Sequence, residues 1–205
     1  IKETLDPTED EASYVYRRSV GYDGTNYFEA GVACEDCHGP AEKHLKAKLA
    51  DKKAAIVRPA ELEPRLGAEV CGQCHSRGQT KVPEGTQGVQ VYTFPKGYLP
   101  GEELTDIFEV AEPVEGQQRV QYAEMLGSEH LENGTICFTC HEPHGQTTEV
   151  HMLRNPIAEL CLGCHKAAIG DTKAIVDLAT HQPSAPADAT CATCHMVGGS
   201  HKFGK

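Results

Sequence analysis

Cys34-Glu35-Asp36-Cys37-His38 is the first of five Cys-x-x-Cys-His motifs in a chain of 205 residues. The other four run from Cys71 to His75, Cys137 to His141, Cys161 to His165 and Cys191 to His195. Together the motifs use all ten cysteines of the chain. Each motif offers two thiols and one imidazole at a fixed spacing, so the chemistry of the protein depends on what these three groups bind.

The spacing fits covalent attachment of haem. Two cysteines separated by two residues form thioethers with the two vinyl groups of one porphyrin, and the adjoining histidine lies beneath the iron as proximal ligand. The sequence therefore predicts five c-type haems. The predicted attachment residues are Cys34, Cys37, Cys71, Cys74, Cys137, Cys140, Cys161, Cys164, Cys191 and Cys194, and the predicted proximal ligands are His38, His75, His141, His165 and His195.

Three other uses of repeated Cys-x-x-Cys agree less well with the pattern. A zinc site joins two such pairs around one tetrahedral ion. Nothing in that site requires a histidine after the second cysteine, yet here one follows every pair. A thioredoxin-like motif occurs once, near a βαβ pattern, and a disulfide framework would not keep one fixed spacing.

The composition leaves little apolar side-chain surface for a protein core. Hydrophobic residues make up 39% of the chain, tryptophan is absent, and there are 20 glycines and 12 prolines. Porphyrins would supply the missing apolar surface. We therefore expect a fold that is mainly coil with short α-helices and very little β, built around a stacked haem chain. The net charge of -11 argues against nucleic acid as a partner.

The spacing of the motifs predicts one pentahaem domain, residues 1–205, with four parts. These are an N-terminal arm (1–33), haems 1 and 2 (34–75), a haem-free loop insertion (76–133) and haems 3 to 5 (134–205). The arm, which is rich in tyrosine, would pack its aromatic side chains on a haem or a neighbouring subunit, or form an ordinary strand or turn. The insertion would be a catalytic or docking lid or, as we favour, a covering flap, because loops of this length are functional or packed.

Local patterns predict a few short elements between the motifs. Helices are expected over 41–50, over 61–75 and from Asn155-Pro156 through the fourth motif, where asparagine caps the helix and proline occupies its first position. A further helix is expected over 171–181. Residues 89–92 alternate like a short strand, and 102–110 predict a helical turn or two.

Six histidines lie outside the motifs and are the predicted distal ligands: His44, His130, His144, His151, His181 and His201. Five haems with two axial histidines each would use five of them and leave one spare. The three methionines, Met125, Met152 and Met196, are alternative ligands that we assign first to packing.

Chain reach constrains which haem a distal histidine serves. Only three residue steps separate His141 from His144, and each residue spans at most about 3.6 Å. The chain cannot pass around a porphyrin edge in that length, so we expect His144 to reach the iron of a neighbouring haem. The same argument applies less strongly to His44 and His201.

Three segments carry a resemblance to a known family. Residues 31–40 together with His44 resemble the first haem segment of many multihaem c-type cytochromes. Residues 137–165 resemble the doubled Cys-x-x-Cys-His module, and 191–203 are similar to the terminal haem segment of the same proteins. The resemblance implies electron transfer and export, because haem c is attached outside the cytoplasm. Some members polymerise into extracellular filaments in which a histidine of one subunit ligates a haem of the next.

These observations favour an electron carrier over an enzyme. The favoured form is a subunit of a filament or stacked oligomer, and the second is a soluble shuttle or complex subunit. Other cytochromes or redox proteins are the expected partners. The rival class is a multihaem reductase or dehydrogenase acting on nitrite, hydroxylamine, tetrathionate or a sulfur oxyanion, which needs an open iron position. We predict no catalytic residue, because the six spare histidines are enough to fill every distal position.

The expected location is periplasmic or extracellular. No apolar run approaches the length of a transmembrane helix, and the chain begins at Ile1 without a basic and hydrophobic leader. We therefore expect a mature, exported product without a membrane anchor.

Overall fold

The computed structural model describes residues 32–86, 90–168, 186 and 188–203. Most of this part of the chain is coil, and its helices are short. The α-helices are α1 (Cys34–His38), α2 (Glu42–Lys46), α3 (Pro64–His75), α4 (Leu104–Ile107), α5 (Gln121–Leu126), α6 (Glu129–Glu132), α7 (Cys137–Cys140), α8 (Ile157–Ala168) and α9 (Cys191–His195). The predicted fold class is confirmed. Most of the N-terminal arm and the helix expected over 171–181 lie outside the described residues.

The strands form one small sheet that differs from the predicted one. β1 (Gly78–Thr80) pairs antiparallel with β2 (Phe108–Val110), with Gly78 opposite Val110. The prediction of a strand over 89–92 is wrong for the described residues 90–92. Tyr92 accepts a hydrogen bond from the backbone nitrogen of Thr80 (2.8 Å), but its own nitrogen donates to the Thr80 hydroxyl (2.9 Å). Because the side chain takes the second bond, no ladder forms there.

A proline marks the start of both longer helices. In α3, Pro64 occupies the first position, and the carboxylate of Glu63 caps the helix by accepting the backbone N–H groups of Arg65 and Leu66. This helix was expected from residue 61, but residues Pro59–Glu61 form a separate 3₁₀ turn. Helix α8 begins at Ile157, one residue after Pro156, which was expected to occupy its first position.

A protein core forms where the insertion packs on α3. Ala68 of α3 lies in one buried cluster with Leu104, Phe108 and Tyr122 of the insertion, and each of these four is at most 1% exposed. Gly72 permits the close approach, because a Cβ atom at this position would lie 2.8 Å from the ring of Tyr122. The helix that carries the second motif is therefore held by ordinary side-chain packing.

A buried carboxylate ties the same two segments together. Glu69 is fully buried, and its oxygens accept hydrogen bonds from the backbone nitrogen of Leu104 (2.8 Å), the hydroxyl of Tyr122 (3.1 Å) and Nε of Arg65 (3.2 Å). Burial and the charge of Glu69 raise the pKa of Tyr122, which keeps its hydroxyl a donor. Each acceptor oxygen is thus satisfied, as a buried carboxylate requires.

The run from Pro95 to Gly101 belongs to this core. Pro95, Tyr98 and Pro100 are buried, and Tyr98 is a member of the cluster around Tyr122. By contrast, no residue is buried in 134–165 or in the described part of 186–203. Within the described residues, no helix has the length and apolar character needed to cross a membrane.

Candidate haem-binding sites

Each motif lies in or at the end of a helical segment. The motifs, numbered as sites 1 to 5 in chain order, are carried by α1, the end of α3, α7, α8 and α9. Residues three apart on a helix share a face, so the two thiols of a motif point to the same side and can meet one porphyrin. All ten cysteines are free thiols in this structure.

Sites 1, 2 and 3 are neighbours in space. Burial, then the negative charges of Asp36 and Cys74, raise the pKa of the Cys37 thiol, which places the thiols of sites 1 and 2 close together. A hydrogen bond joins Cys71 of site 2 to Cys137 of site 3. This bond and burial raise the pKa of Cys71, while the bond lowers the pKa of Cys137.

Sites 3, 4 and 5 continue the same order. Burial, followed by the charge of Cys164, raises the pKa of Cys140, so these thiols of sites 3 and 4 are also close. Burial and the adjacent Cys191, which is also hydrogen bonded to it, raise the pKa of Cys161 to about 11. Each site therefore neighbours the next one along the chain.

Two motif histidines lie close to histidines from distant parts of the chain, with nearly parallel ring planes. The rings of His38 and His144 have their centres 6.2 Å apart with 12° between their planes. The rings of His141 and His201 are also 6.2 Å apart, with 23° between their planes. Neither partner comes from the motif whose histidine it faces.

Hydrogen bonds fix the imidazoles of the first pair. Nδ1 of His38 lies 2.7 Å from the carbonyl of Val57, and Nδ1 of His144 lies 3.1 Å from a carboxylate oxygen of Glu142. A carbonyl only accepts, so Nδ1 of His38 carries the hydrogen and Nε2 keeps its lone pair. Gly39, with φ 70°, ends α1 and turns the chain toward Val57.

The second pair has the same arrangement. Nδ1 of His141 donates to the carbonyl of His151 (2.8 Å), and Nδ1 of His201 donates to the carbonyl of Gly199 (3.0 Å). His151 adopts φ 55° in the turn that presents this carbonyl. Burial and the charge of His141 lower the pKa of His201, so this imidazole stays neutral near pH 7 and keeps the lone pair that metal ligation needs.

A third pair joins site 4 to the segment before site 3. The rings of His165 and His130 are 5.9 Å apart, with 63° between their planes. Burial and the charge of His165 lower the pKa of His130. The ring of Phe203 also packs on His130, with 4.1 Å between ring centres.

These spacings fit an iron between two imidazoles. A metal lies about 2 Å from an imidazole nitrogen, and the nitrogen lies roughly 1 Å from the ring centre, so two axial histidines place their ring centres about 6 Å apart. In the first two pairs the Nδ1 bonds orient the rings and would leave Nε2 as the ligating atom, which is the usual arrangement around protein-bound metals. The thiol pairs and paired imidazoles thus suit haem c.

Comparisons with known proteins bear on the motifs and on the fold. The doubled CXXCH motif family model matches residues 130–170. Among solved structures, the chain is similar to the outer cell wall cytochrome OcwA, with a TM-score of 0.54 and 24% sequence identity over 87% of this chain. The chain therefore shares the fold of that protein, and residues 130–170 match the doubled module. The matched region spans 51% of the length of OcwA. No curated protein matches this chain.

The remaining predicted ligands lie outside these three pairs. His44 donates from Nδ1 to the carbonyl of Lys52 (2.9 Å), and no other imidazole stacks on it within the described residues. The ring of His151 is exposed. His75 of site 2 is near enough to contribute to the lowered pKa of His201, but within the described part of the chain no imidazole stacks on it. His181 lies outside the described residues, and His195 ends α9.

The groups that orient the imidazoles escape prediction from sequence. They are the carbonyls of Val57, Lys52, His151 and Gly199 and the carboxylate of Glu142. Every residue carries a carbonyl, so four of the five leave no signal in the sequence. Glu142 had a local signal, because it lies between two histidines in the doubled module.

Proposed function

We propose that this protein conducts electrons along five covalently attached c-type haems, most or all of them with two axial histidines. The observation that carries the proposal is the set of imidazole pairs His38 with His144, His141 with His201, and His165 with His130. In this assignment each distal ligand comes from outside the motif that it serves. The chain then ties the haems of different motifs to one another.

The order of the cysteines supports a continuous path. Thiols of consecutive motifs are close enough to shift one another's pKa from site 1 to site 5. Haems attached there would follow one another in chain order at short separations. The haems supply the redox chemistry, and the protein sets their spacing and tunes each potential through ligands, burial and charge.

Sites 2 and 5 take their distal ligands from the remaining histidines in this proposal. His44, His151 and His181 are the candidates. Among them, His44 is the best prepared, because its Nδ1 bond to Lys52 leaves Nε2 available. A histidine left over would be free to ligate a haem of another subunit.

We further propose that the protein works outside the cytoplasm with other redox proteins. OcwA, which shares the fold, is described as an outer cell wall cytochrome. Assembly into a filament or stacked oligomer remains our favoured form, with a soluble shuttle as the alternative. Electron microscopy of the purified protein over a range of concentrations tests this. Fibres with a regular repeat support the filament, and single particles throughout would rule it out.

The haem number and ligation are tested together. Mass spectrometry of the mature protein should show five haems, and EPR of the oxidised form should show low-spin iron. Replacing His144, His201 or His130 by alanine should convert one haem in each variant to a high-spin form that binds carbon monoxide when reduced. Thr148→Ala, at an exposed residue that takes no part in the assigned pairs, is the control. Unchanged spectra in all three variants would disprove the assigned pairs.

A second candidate function is reduction of a small oxyanion or nitrogen compound at an open iron in site 2. The observation in its favour is that, within the described residues, His75 has no stacked imidazole. Such an iron would be high-spin in the unaltered protein. Carbon monoxide binding to one reduced haem without any mutation would favour this function. No binding at all would leave electron conduction as the activity.

A further inference from the structure

The last described segment contacts the distal faces of two sites at once. His201 is stacked on His141 of site 3, and Phe203 packs on His130, which faces site 4. The ring centres of His201 and Phe203 are 5.9 Å apart. Contacts that position residues 200–203 therefore affect both site 3 and site 4.

A side chain of the insertion supplies that support. Glu124 of α5 is 8% exposed, and its carboxylate reaches the segment 200–203, which lies more than seventy residues later in the chain. One oxygen accepts from the backbone nitrogen of His201 (2.8 Å), and the other accepts from the hydroxyl of Ser200 (3.0 Å). The same hydroxyl accepts from the backbone nitrogen of Lys202 (3.2 Å).

We infer that Glu124 is a positioning residue for the distal ligand of site 3. Its carboxylate accepts a hydrogen bond from the backbone nitrogen of His201, while the carbonyl of Gly199 orients the ring by accepting a hydrogen bond from Nδ1. The two contacts together set both the place and the rotation of the imidazole. This inference rests on the proposed ligation of site 3 by His141 and His201.

The physical case depends on burial and charge. Hydrogen bonds to a carboxylate are stronger than neutral ones, and they gain further strength where water is largely excluded. Glu124 is anchored on the helix that also carries Tyr122 and Met125, both buried in the core. The insertion is thereby connected to a haem site that is distant in sequence, through two side-chain bonds.

Carbon monoxide binding to the reduced, haem-loaded protein tests the inference. We expect none at site 3 in the unaltered protein, and binding at one haem in His201→Ala. Glu124→Ala removes both acceptors, so His201 should dissociate more readily and carbon monoxide should bind at that site at least about tenfold faster. Added imidazole should restore the low-spin EPR signal in both variants. A purely structural role would not give this rescue.

Two further variants make the test decisive. Ser200→Ala removes only one of the two bonds and should give a smaller acceleration, so it decides the matter if Glu124→Ala fails to fold. Glu132→Ala, at an exposed glutamate on α6, is the matched control and should behave as the unaltered protein.

The outcomes separate the inference from the proposed function. If His201→Ala opens one haem but Glu124→Ala and Ser200→Ala bind carbon monoxide as slowly as the unaltered protein, the role of Glu124 is disproved and the ligation stands. If His201→Ala opens none, the ligation of site 3 fails and the inference fails with it.

Discussion

Residues 64–133, which we term the core region, and residues 134–203, the haem-rich region, are stabilised in different ways. The core region buries Leu104, Phe108 and Tyr122 against α3 around a fully buried carboxylate. The haem-rich region has three motifs, and none of its residues 134–165, 186 and 188–203 is buried. Buried side chains stabilise the core region. The haem-rich region has the motifs for attaching haem, which would stabilise it instead.

The contrast is one of burial and not of composition. The buried hydrophobic side chains among the described residues all lie in the core region, beside one motif. The second site thus gains support from the protein, while in the proposed function sites 3 to 5 would depend on covalent porphyrin and on axial ligands. The bonds of Glu124 to Ser200 and His201 join the two regions.

Production of the chain without haem attachment should give the largest difference between the two regions. We expect amide hydrogens of the haem-rich region to exchange with protection factors of about one, because no buried apolar side chain is left to hold the backbone. Amides of α3 and α5 should keep measurable protection. Hydrogen exchange followed by mass spectrometry checks this against the haem-loaded protein. Equal protection in both regions would contradict the contrast.

Truncation of the central aromatic residue should have the next largest effect. Tyr122→Ala should lower the free energy of unfolding by about 3–5 kcal/mol, because it removes a fully buried ring. It also removes one hydrogen bond to Glu69. Denaturant unfolding of the haem-loaded protein gives the value. Tyr92→Ala, at a half-buried tyrosine, is the control. An equal loss in the free energy of unfolding there would contradict a central role of Tyr122 in the core.

Neutralising the buried carboxylate should cost less. Glu69→Gln keeps the size of the side chain but turns one acceptor oxygen into a donor, which leaves a buried partner unsatisfied. We expect a loss of about 1–3 kcal/mol in the free energy of unfolding. Glu84→Gln, at an exposed glutamate of the same region, should change it little. A loss of the same size at Glu84 would show a general charge effect instead.

The smallest expected effect comes from glycine-to-alanine substitutions. It compares the two regions most directly, because the same substitution is made in each. Gly72 and Gly163 each lie between the cysteines of a motif, but a Cβ atom meets the Tyr122 ring at Gly72 and nothing within 4 Å at Gly163. In Gly72→Ala the new methyl group overpacks the core, while alanine favours the helix more than glycine does. The net effect should be a destabilisation of about 1–2 kcal/mol. Gly163→Ala should be neutral or slightly stabilising. Unfolding curves with the same sign for both would refute the difference.

The local parts of the structure follow from the sequence. The motifs are readable because their spacing is fixed within five residues, and the start of α8 is readable to within one residue because Pro156 is a local signal for the start of a helix. The fold class followed from the small share of hydrophobic residues. These features need no knowledge of contacts between distant segments.

The non-local parts do not follow. Chain reach excludes His144 from its own site, but it does not select His38 from the other proximal histidines. β1 and β2 pair across nearly thirty residues, so the alternation at 89–92 pointed to the wrong strand. Glu124 is one of many glutamates in an acidic chain, and its link to His201 exists only in three dimensions.

The crossed pairing of His38 with His144 has a consequence for how the protein is made. His144 follows His38 by more than half the length of the chain, and His201 stands near its far end. A polypeptide that leaves the cytoplasm with its amino end first would receive its first porphyrin long before the second axial ligand arrives. Site 1 would then remain five-coordinate and open to oxygen during secretion. Maturation of the earliest sites would therefore depend on the emergence of the latest segments.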